Sequence, residues 1–371
     1  KMTPGIQLLV ARRGQVIYNK NFGKHTYKGK EKVSFDDVYD VASLTKILAT
    51  LPLLMELEEQ GIVSLDDKLS KLLPEYKDSN KKNITIKEML SHYARLRPWE
   101  PFYYKTLDSI KHPNDKYYRA ERSNKFNIEV TKNLFLRSDY KDSIPEIIKN
   151  SELLPSLRYR YSDFPYYILK KFIETHYDKR LDELVQNHIY QSLGANNTLY
   201  NPYHKISSKK IVPTEEDDYY RYQKVHGFVH DMGAAMQDGV GGHAGVFSNA
   251  NDVAKIMQMY LQKGFYGGKQ YLKPETISKF NTCYYCEKGN RRGVGFDKPQ
   301  LGDAGPTCGC VSMTSFGHSG FTGTYAWADP EQELVYVFLA NRTYPKDDIN
   351  LLLRQNIRTE IQRLIYEAIE D

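Results

Sequence analysis

The chain lacks the features of several protein classes. None of its apolar runs approaches the ~20 residues that a membrane-spanning helix needs, and no signal-peptide pattern opens it. Its charge is not of one sign, because 52 Lys and Arg are interspersed with 46 Asp and Glu, for a net charge of +6. We therefore expect no membrane span in this chain and a solvated surface with no nucleic-acid partner.

Cysteine is also scarce. The four cysteines form two close pairs, Cys283 with Cys286 and Cys308 with Cys310. This spacing suits a structural zinc site with four thiolate ligands, and it equally suits two disulfides, each joining the two pairs, in an oxidising compartment. No histidine or carboxylate lies in ligand spacing with them, which argues against a zinc enzyme. Both alternatives predict one unit that pins a loop.

What the chain does contain is enough apolar material for a large core. Its 371 residues are 40% hydrophobic and 13% aromatic, with 30 tyrosines. Alternating patterns predict strands at both chain ends, and helical patterns lie between them. The predicted strands are 6–12, 15–22, 294–296, 312–318, 324–329 and 334–341. We expect an α+β fold in which an antiparallel sheet is flanked by helices.

Helical periodicity predicts one helix from Ser43 to Gln60, ended by Gly61 and kinked at Pro52. Further predicted helices cover 85–90, 166–176, 251–263, 273–280 and 348–369. Residues 97–150 are charged and rich in Tyr, Phe and Pro without clear periodicity, and they suggest an insertion. We expect residues 1–371 to form one catalytic unit. Its α/β part covers about 1–60 and 245–371, and its helical part, with the insertion, covers about 61–244.

The most informative stretch is Ser43-Leu44-Thr45-Lys46. At i and i+3 a serine hydroxyl and a lysine amine share one helix face, with Cβ atoms roughly 5–6 Å apart. A lysine one turn away can take the serine proton or assist another base, and the N–H groups at a helix start can bind an oxyanion. By itself the pattern also fits a helix-capping serine with a solvated lysine.

Two further motifs remove that alternative. They are Tyr161-Ser162-Asp163 and His318-Ser319-Gly320. In order, the three motifs resemble the S-x-x-K, polar-triplet and K-T-G signature of serine β-lactamases and penicillin-binding proteins. The chain is most similar to the class C β-lactamase branch and its esterase and D-aminopeptidase relatives, over nearly its whole length. The fold that this implies is β-lactamase/transpeptidase-like, with the active site in the cleft between its two parts.

The resemblance implies roles for the motif residues. Ser43 is the expected nucleophile and Tyr161 the expected general base, with its pKa lowered well below ~10 by the Lys46 cation. The backbone N–H groups of Ser43 and Phe321 are the expected oxyanion hole. The expected substrate-binding residues are Asp163, His318, Ser319, Gly320 and Phe321. No cofactor for catalysis is implied.

Two departures from the family pattern bear on the substrate. Asp163 replaces an asparagine and cannot donate a hydrogen bond as an amide does. His318 replaces the lysine of K-T-G and would be neutral much of the time near pH 7. We therefore expect an acyl-enzyme hydrolase acting on an ester, a D-amino-acid amide or a cell-wall peptide. The alternatives are a β-lactamase of low efficiency and a non-catalytic peptidoglycan or interaction module that retains the fold.

Other candidate residues have simpler interpretations. Gly239–Gly245 is glycine-rich, but it lacks the Walker lysine and the strand–loop–helix setting of a phosphate loop. We interpret His230 and His243 as structural loop histidines. Arg291 and Arg292 fit either an anion-binding pair or a solvated turn.

The position of the first strand bears on the context of the domain. Relatives of this kind place a helix before that strand, and similar domains occur fused behind glycoside hydrolase domains. We therefore expect the numbering to begin inside a longer polypeptide, with upstream domains as an option. The partner is expected to be a small-molecule or peptidoglycan-like substrate, in a periplasmic or secreted setting.

Overall fold

The computed structural model describes residues 2–369. The strands are β1 Gly5–Arg12, β2 Gln15–Gly23, β3 Tyr39–Asp40, β4 Tyr118–Arg119, β5 Phe126–Thr131, β6 Leu134–Arg137, β7 Leu199–Tyr200, β8 Glu215–Asp217, β9 Gln223–Val225, β10 Val246–Ser248, β11 Phe265–Tyr266, β12 Lys269–Gln270, β13 Phe316–Ser319, β14 Tyr325–Asp329 and β15 Leu334–Ala340. The α-helices are α1 Leu51–Glu59, α2 Leu69–Leu72, α3 Ile86–Leu90, α4 Tyr140–Asn150, α5 Phe164–Tyr177, α6 Leu181–Val185, α7 Gln191–Leu193, α8 Met232–Ala235, α9 Ala250–Leu261, α10 Pro274–Asn281, α11 Leu351–Arg354 and α12 Ile357–Glu367.

The two ends of the chain build one antiparallel sheet, as predicted. Its strand order is β13–β14–β15–β1–β2, and Leu9 of β1 lies opposite Val337 of β15. Successive side chains of a strand point to opposite sides, and in β1, β14 and β15 both sides are buried, whereas the edge strand β2 is largely exposed. Leu9 joins the main core. Leu8 and Val10 join a second cluster, which the C-terminal helix α12 covers with Tyr366.

The helix that follows Ser43 is not the single α-helix that the periodicity predicts. A 3₁₀ turn at Ala42–Leu44 leads into a π-helical turn at Lys46–Thr50, and α1 begins only at Leu51. Pro52 therefore lies in the first turn of α1, where its missing N–H costs little, and not in a helix interior. Tyr190 compensates for that missing donor, because its hydroxyl donates to the Leu48 carbonyl at 3.1 Å.

The region between the two halves of the sheet is helical, but it also contains small sheets that the sequence did not predict. The 97–150 segment folds into the three-stranded sheet β4–β6–β5 and the helix α4. Two irregularities between β5 and β6 interrupt their register, and this explains why no alternation is visible in the sequence. The three-stranded sheet β3–β10–β7 joins this region to the residues before Ser43.

Three predicted elements near the C-terminal end are wrong in extent or type. Residues 294–296 form no strand, since Gly295 has a φ of +90° and only Asp297 makes an isolated bridge, to Gly317. The strand predicted at 312–318 begins at Phe316. The helix predicted at 348–369 is divided into α11 and α12, because Asn356 adopts a left-handed conformation with a φ of 52°.

The cysteines are paired differently from both predictions. Disulfides join Cys283 to Cys286 and Cys308 to Cys310, so each bond closes within one close pair. The Cα atoms are 5.6 and 5.3 Å apart, a separation that neighbours in a turn reach without help from another segment. The structural zinc site and the disulfides between pairs are therefore both wrong. Within residues 2–369, no helix combines the length and apolar character required to cross a membrane.

Candidate active site

The backbone turns sharply just before Ser43. Ala42 has a φ of +46°, a strained conformation for a residue with a side chain. The buried Asp40 carboxylate stabilises it by accepting the Ala42 N–H at 2.8 Å and, through its other oxygen, the His230 N–H at 2.7 Å. Asp40 thereby ties the residues before Ser43 to the segment that carries His230.

Ser43 and Lys46 meet as their spacing predicts. Lys46 Nζ lies 2.8 Å from Ser43 Oγ and 3.2 Å from the His243 carbonyl oxygen. Its third neighbour is Asp163 Oδ1, at 2.8 Å. The Lys46 side chain is fully buried, so the three oxygens replace the water shell of the ammonium group.

The glycine-rich segment 239–245 forms one wall around this lysine. A Cβ on Gly242 would lie 2.3 Å from the Tyr166 carbonyl oxygen, so only glycine fits between α5 and the Ser43 segment. Thr50 donates to the Gly242 carbonyl at 2.7 Å. The segment thus packs against the π-helical turn. This packing role agrees with the expectation that it is not a phosphate-binding loop.

Asp163 keeps the Lys46 side chain protonated. Burial acts to lower the pKa of Lys46, but the charge of Asp163 and the hydroxyl of Tyr161 oppose it, and the resulting pKa lies above the usual value for lysine. The lysine therefore faces Ser43 as an ammonium group at neutral pH.

Tyr161 reaches Ser43 from the segment just before α5, but the direction of its pKa shift differs from the prediction. Its hydroxyl lies 3.2 Å from Ser43 Oγ, and Lys46 Nζ lies 5.2 Å from the centre of its ring. Burial raises the pKa of Tyr161, Lys46 counteracts this, and the Asp163 carboxylate raises it further. The expected lowering of the Tyr161 pKa is therefore wrong, because burial and the Asp163 carboxylate together outweigh the effect of the Lys46 charge.

His318 is a buried neutral imidazole. Its Nδ1 donates to the Ser319 carbonyl oxygen at 2.7 Å, and its Nε2 accepts from Arg292 at 3.1 Å. Burial lowers the pKa of His318 well below its usual value, and the charges of Arg292 and Lys46 lower it further. The two hydrogen bonds select the tautomer with the proton on Nδ1.

Arg292 does not lie in a solvated turn. It is 2% exposed, its Nη1 lies 3.1 Å from Asp297 Oδ2, and its guanidinium group lies 5.6 Å from the centre of the Tyr161 ring. His92 is a second buried neighbour that sequence reasoning missed. Its ring centre lies 4.5 Å from that of Tyr161, and its Nδ1 accepts the Ser162 N–H at 3.2 Å. His92 shows no signal in the sequence, whereas Arg292 was one of the two arginines for which the sequence left an anion-binding pair or a solvated turn open.

The turn after β13 is held against the residues before Ser43. A Cβ on Gly320 would lie 2.0 Å from Thr324 Oγ1 and 2.6 Å from the Val41 carbonyl oxygen. Thr324 donates to that carbonyl at 3.0 Å, and Thr322 donates to the Asp40 carbonyl at 2.8 Å. These contacts bring the backbone of Phe321, just beyond the edge strand, close to the Ser43 segment.

A cavity of about 410 Å³ opens in front of Ser43. Tyr161, Asp163 and Phe321 line it, whereas Lys46, His318, Ser319 and Gly320 do not. The wall also includes residues that we did not predict as site residues: Trp99, Tyr219, His230, Asp231, His243 and Asp347. A larger cavity, of about 760 Å³, lies on the helical side and contains none of the predicted site residues.

The two histidines interpreted as structural therefore face the cavity. His243 Nε2 lies 2.8 Å from Asp231 Oδ1, and His230 Nε2 lies 3.3 Å from Glu215 Oε2. Among the described residues, Glu215, His230 and Asp347 form the one group of possible metal ligands whose donor atoms lie within 4.8 Å of one another. That group includes none of the cysteines.

Comparisons with known proteins identify the family. The β-lactamase family model matches residues 1–357. A protein of Escherichia coli K12, named as a candidate D-alanyl-D-alanine carboxypeptidase, is 30% identical over 369 residues, which cover 92% of this chain and 79% of the relative.

Solved structures share the fold at lower identity. EstCE1, described as a hydrolase with promiscuous acyltransferase activity, has a TM-score of 0.68 and 19% identity, with 98% of this chain and 94% of that chain covered. A family VIII carboxylesterase has a TM-score of 0.61 and 16% identity, with 91% and 87% covered.

Proposed function

Because the chain belongs to the β-lactamase family and is a serine hydrolase of that family, we propose that Ser43 is its nucleophile and that it cleaves an ester, a D-amino-acid amide or a cell-wall peptide through an acyl-enzyme. One observation carries the proposal. Ser43 Oγ lies at the wall of the cavity, with Lys46 Nζ at 2.8 Å and the Tyr161 hydroxyl at 3.2 Å.

The proton of Ser43 passes to the Lys46–Tyr161 pair. In the resting state Lys46 is charged and Tyr161 is neutral, so the reactive form is the minor one in which this pair has lost a proton. Tyr161 then accepts the proton as Ser43 Oγ bonds to the carbonyl carbon, and the same proton passes to the leaving group as the acyl-enzyme forms. Water repeats the sequence and releases the acid.

The developing oxyanion is bound by the backbone N–H groups of Ser43 and Phe321. The close approach at Gly320 supports this pairing, since it brings the Phe321 backbone beside the Ser43 turn. His318 and Ser319 are positioning residues in this account, because His318 is buried, does not line the cavity and is bonded to the Ser319 carbonyl. Asp163 balances the charge of Lys46.

The setting proposed for this activity is extracytoplasmic, with a peptidoglycan-like or small-molecule substrate. The two disulfides support an oxidising compartment. The relative named as a carboxypeptidase supports a cell-wall link. A non-catalytic module is the weaker alternative, because Ser43, Lys46 and Tyr161 are all present and in contact.

We expect esters to be better substrates than β-lactams. A neutral His318 offers no fixed charge to the carboxylate of a penicillin or cephalosporin, and loss of such a contact costs roughly 10²–10³ in rate. The measurement compares kcat/KM for p-nitrophenyl acetate and nitrocefin, with Ser43→Ala as the blank for uncatalysed hydrolysis. A kcat/KM for nitrocefin near the diffusion limit of about 10⁸ M⁻¹s⁻¹, with no hydrolysis of the ester, would contradict the expected preference for esters.

A further inference from the structure

The wall of the Ser43 cavity is acidic. Asp163, Asp231 and Asp347 line it, whereas no lysine or arginine of the described residues does. Asp163 is matched by Lys46, and Asp231 is paired with His243. Although burial acts to raise the pKa of Asp231, the contact with His243 holds it below its usual range, so the group is charged.

Asp347 is the carboxylate of the cavity wall that forms no ion pair among the described residues. It makes no ion pair with any residue of the described range 2–369, and its oxygen lies within 4.8 Å of ligand atoms of Glu215 and His230. Glu215 and His230 partly compensate each other at 3.3 Å. At this corner the cavity wall therefore presents the Asp347 carboxylate and no lysine or arginine of the described residues.

The nearby Arg342 offsets part of the Asp347 charge, because burial lowers the pKa of its guanidinium group and the Asp347 carboxylate opposes that shift. Arg342 is 6% exposed and lies behind the Phe321 ring, 4.4 Å from its centre. Phe321 is 53% exposed and forms the cavity wall in front of it. The guanidinium group therefore does not line the cavity, whereas Asp347 does.

The other feature of the wall is its aromatic content. Trp99 is 39% exposed and lines the cavity together with Tyr219 and Phe321. The Tyr219 hydroxyl donates to Glu215 Oε2 at 3.1 Å, which orients its ring beside the acidic corner. Aromatic faces attract ammonium groups, because the ring quadrupole is negative over the face, and the neighbouring carboxylate adds to this attraction.

We propose that this cavity binds substrates carrying an organic ammonium group, held by Asp347 and the aromatic wall while the reacting carbonyl meets Ser43. The proposal rests on the proposed hydrolase function and narrows its substrate class. A free amino group or a quaternary ammonium group fits the wall, whereas a free carboxylate at the same place is repelled. Among the proposed substrates, amides and esters of amino-bearing acyl groups are therefore favoured over peptides recognised by a C-terminal carboxylate.

The first test uses three p-nitrophenyl esters of matched shape. One acyl chain is trimethylammonio-pentanoyl, the second is its neutral isostere ending in tert-butyl, and the third is adipoyl, which ends in a carboxylate. We expect kcat/KM to fall in that order, with about a tenfold preference for the cation over the isostere, corresponding to 1.4 kcal/mol. The preference should decrease with added salt, because exposed charges are screened.

Two variants distinguish the effect of Asp347 from the effect of the overall charge of the protein. Asp347→Asn should reduce the cation-to-isostere ratio at least about threefold, since one of the attracting charges is lost. Asp348→Asn removes the same charge from the exposed neighbouring residue and should leave the ratio unchanged. Equal ratios in the two variants, or no preference in the wild type, would overturn the proposal.

A binding measurement does not depend on turnover. The chain has two tryptophans, and Trp327 is 1% exposed, so ligands in the cavity should change the fluorescence of Trp99 alone. We expect saturable quenching by choline but not by the neutral alcohol in which carbon replaces its nitrogen, and no quenching in Trp99→Phe. A response to zinc or magnesium chloride without one to choline would identify a metal site and overturn the proposal.

The two sets of results distinguish the two claims. Choline binding by a protein that hydrolyses none of the three esters would support the cation site and contradict the hydrolase function. Hydrolysis of all three esters at similar rates, lost in Ser43→Ala and without choline binding, would support the hydrolase function and contradict the cation site.

Discussion

Asp163 is the residue that controls the charges around Ser43. It lies 2.8 Å from Lys46 Nζ and raises the pKa of both Lys46 and Tyr161. The asparagine that the family motif carries at this position has no charge to match that of the lysine. Here the lysine charge is matched, and the reactive form becomes rarer at neutral pH.

Replacing the Asp163 carboxylate should shift the pH dependence of activity in a defined direction. Asp163→Asn removes a charge that raises both pKa values, so the rising limb of the kcat/KM profile should move to lower pH, by about one unit or more. The profile is measured with p-nitrophenyl acetate. Asp66→Asn, which removes an exposed carboxylate paired with Lys87, serves as the control. A limb that stays in place or moves to higher pH would contradict the role given to Asp163.

Individual residues differ in how well the sequence predicted them. The contact of Ser43 with Lys46 follows from their spacing, and Tyr161 follows from the motif order. The pKa of Tyr161 could not be predicted, because it depends on burial and on which cation Asp163 pairs with. Arg292 and Asp347 lie in loops, where no periodicity indicates whether a side chain is buried or faces a cavity.

At the scale of elements, the segment after Ser43 shows how the fold accommodates a proline in a helical stretch. Pro52 has no N–H and cannot donate to the Leu48 carbonyl. A π-helical turn precedes α1 at this point, and the Tyr190 hydroxyl, from another segment, donates to that carbonyl instead. The hydrophobic pattern predicted a helix because both conformations bury nearly the same residues. It could not predict the helix type, which depends on residues far along the chain.

Removing that external donor should be costly. Tyr190 is fully buried, and Tyr190→Phe leaves the Leu48 carbonyl without its partner, so the free energy of unfolding should fall by about 1–3 kcal/mol. Urea denaturation provides the measurement. Tyr18→Phe, at a tyrosine that is 41% exposed, should change it by less than about 0.5 kcal/mol. Equal effects of the two variants would remove the structural role assigned to Tyr190.

At the scale of the whole molecule, the two chain ends and the middle region contribute different residues to the cavity. The sheet from both ends positions Phe321, and the middle region supplies Tyr161, Asp163 and Trp99, so the cavity lies where the two parts meet. The alternating strands and the motif order made this arrangement predictable. The small sheets in 97–150 and the disulfide pairing were not, since both depend on local turns that leave little trace in the sequence.

The most direct test of the central claim is the mass of the protein during turnover. Wild-type protein is mixed with a p-nitrophenyl ester, quenched in acid within the first turnovers, digested and analysed by mass spectrometry. The account predicts one acyl group on the peptide that contains Ser43, and neither an adduct nor catalysed hydrolysis in Ser43→Ala. Ser319→Ala, which alters a serine close to the same site, should still carry the adduct on Ser43. An adduct on another residue, or wild-type rates in Ser43→Ala, would contradict the account.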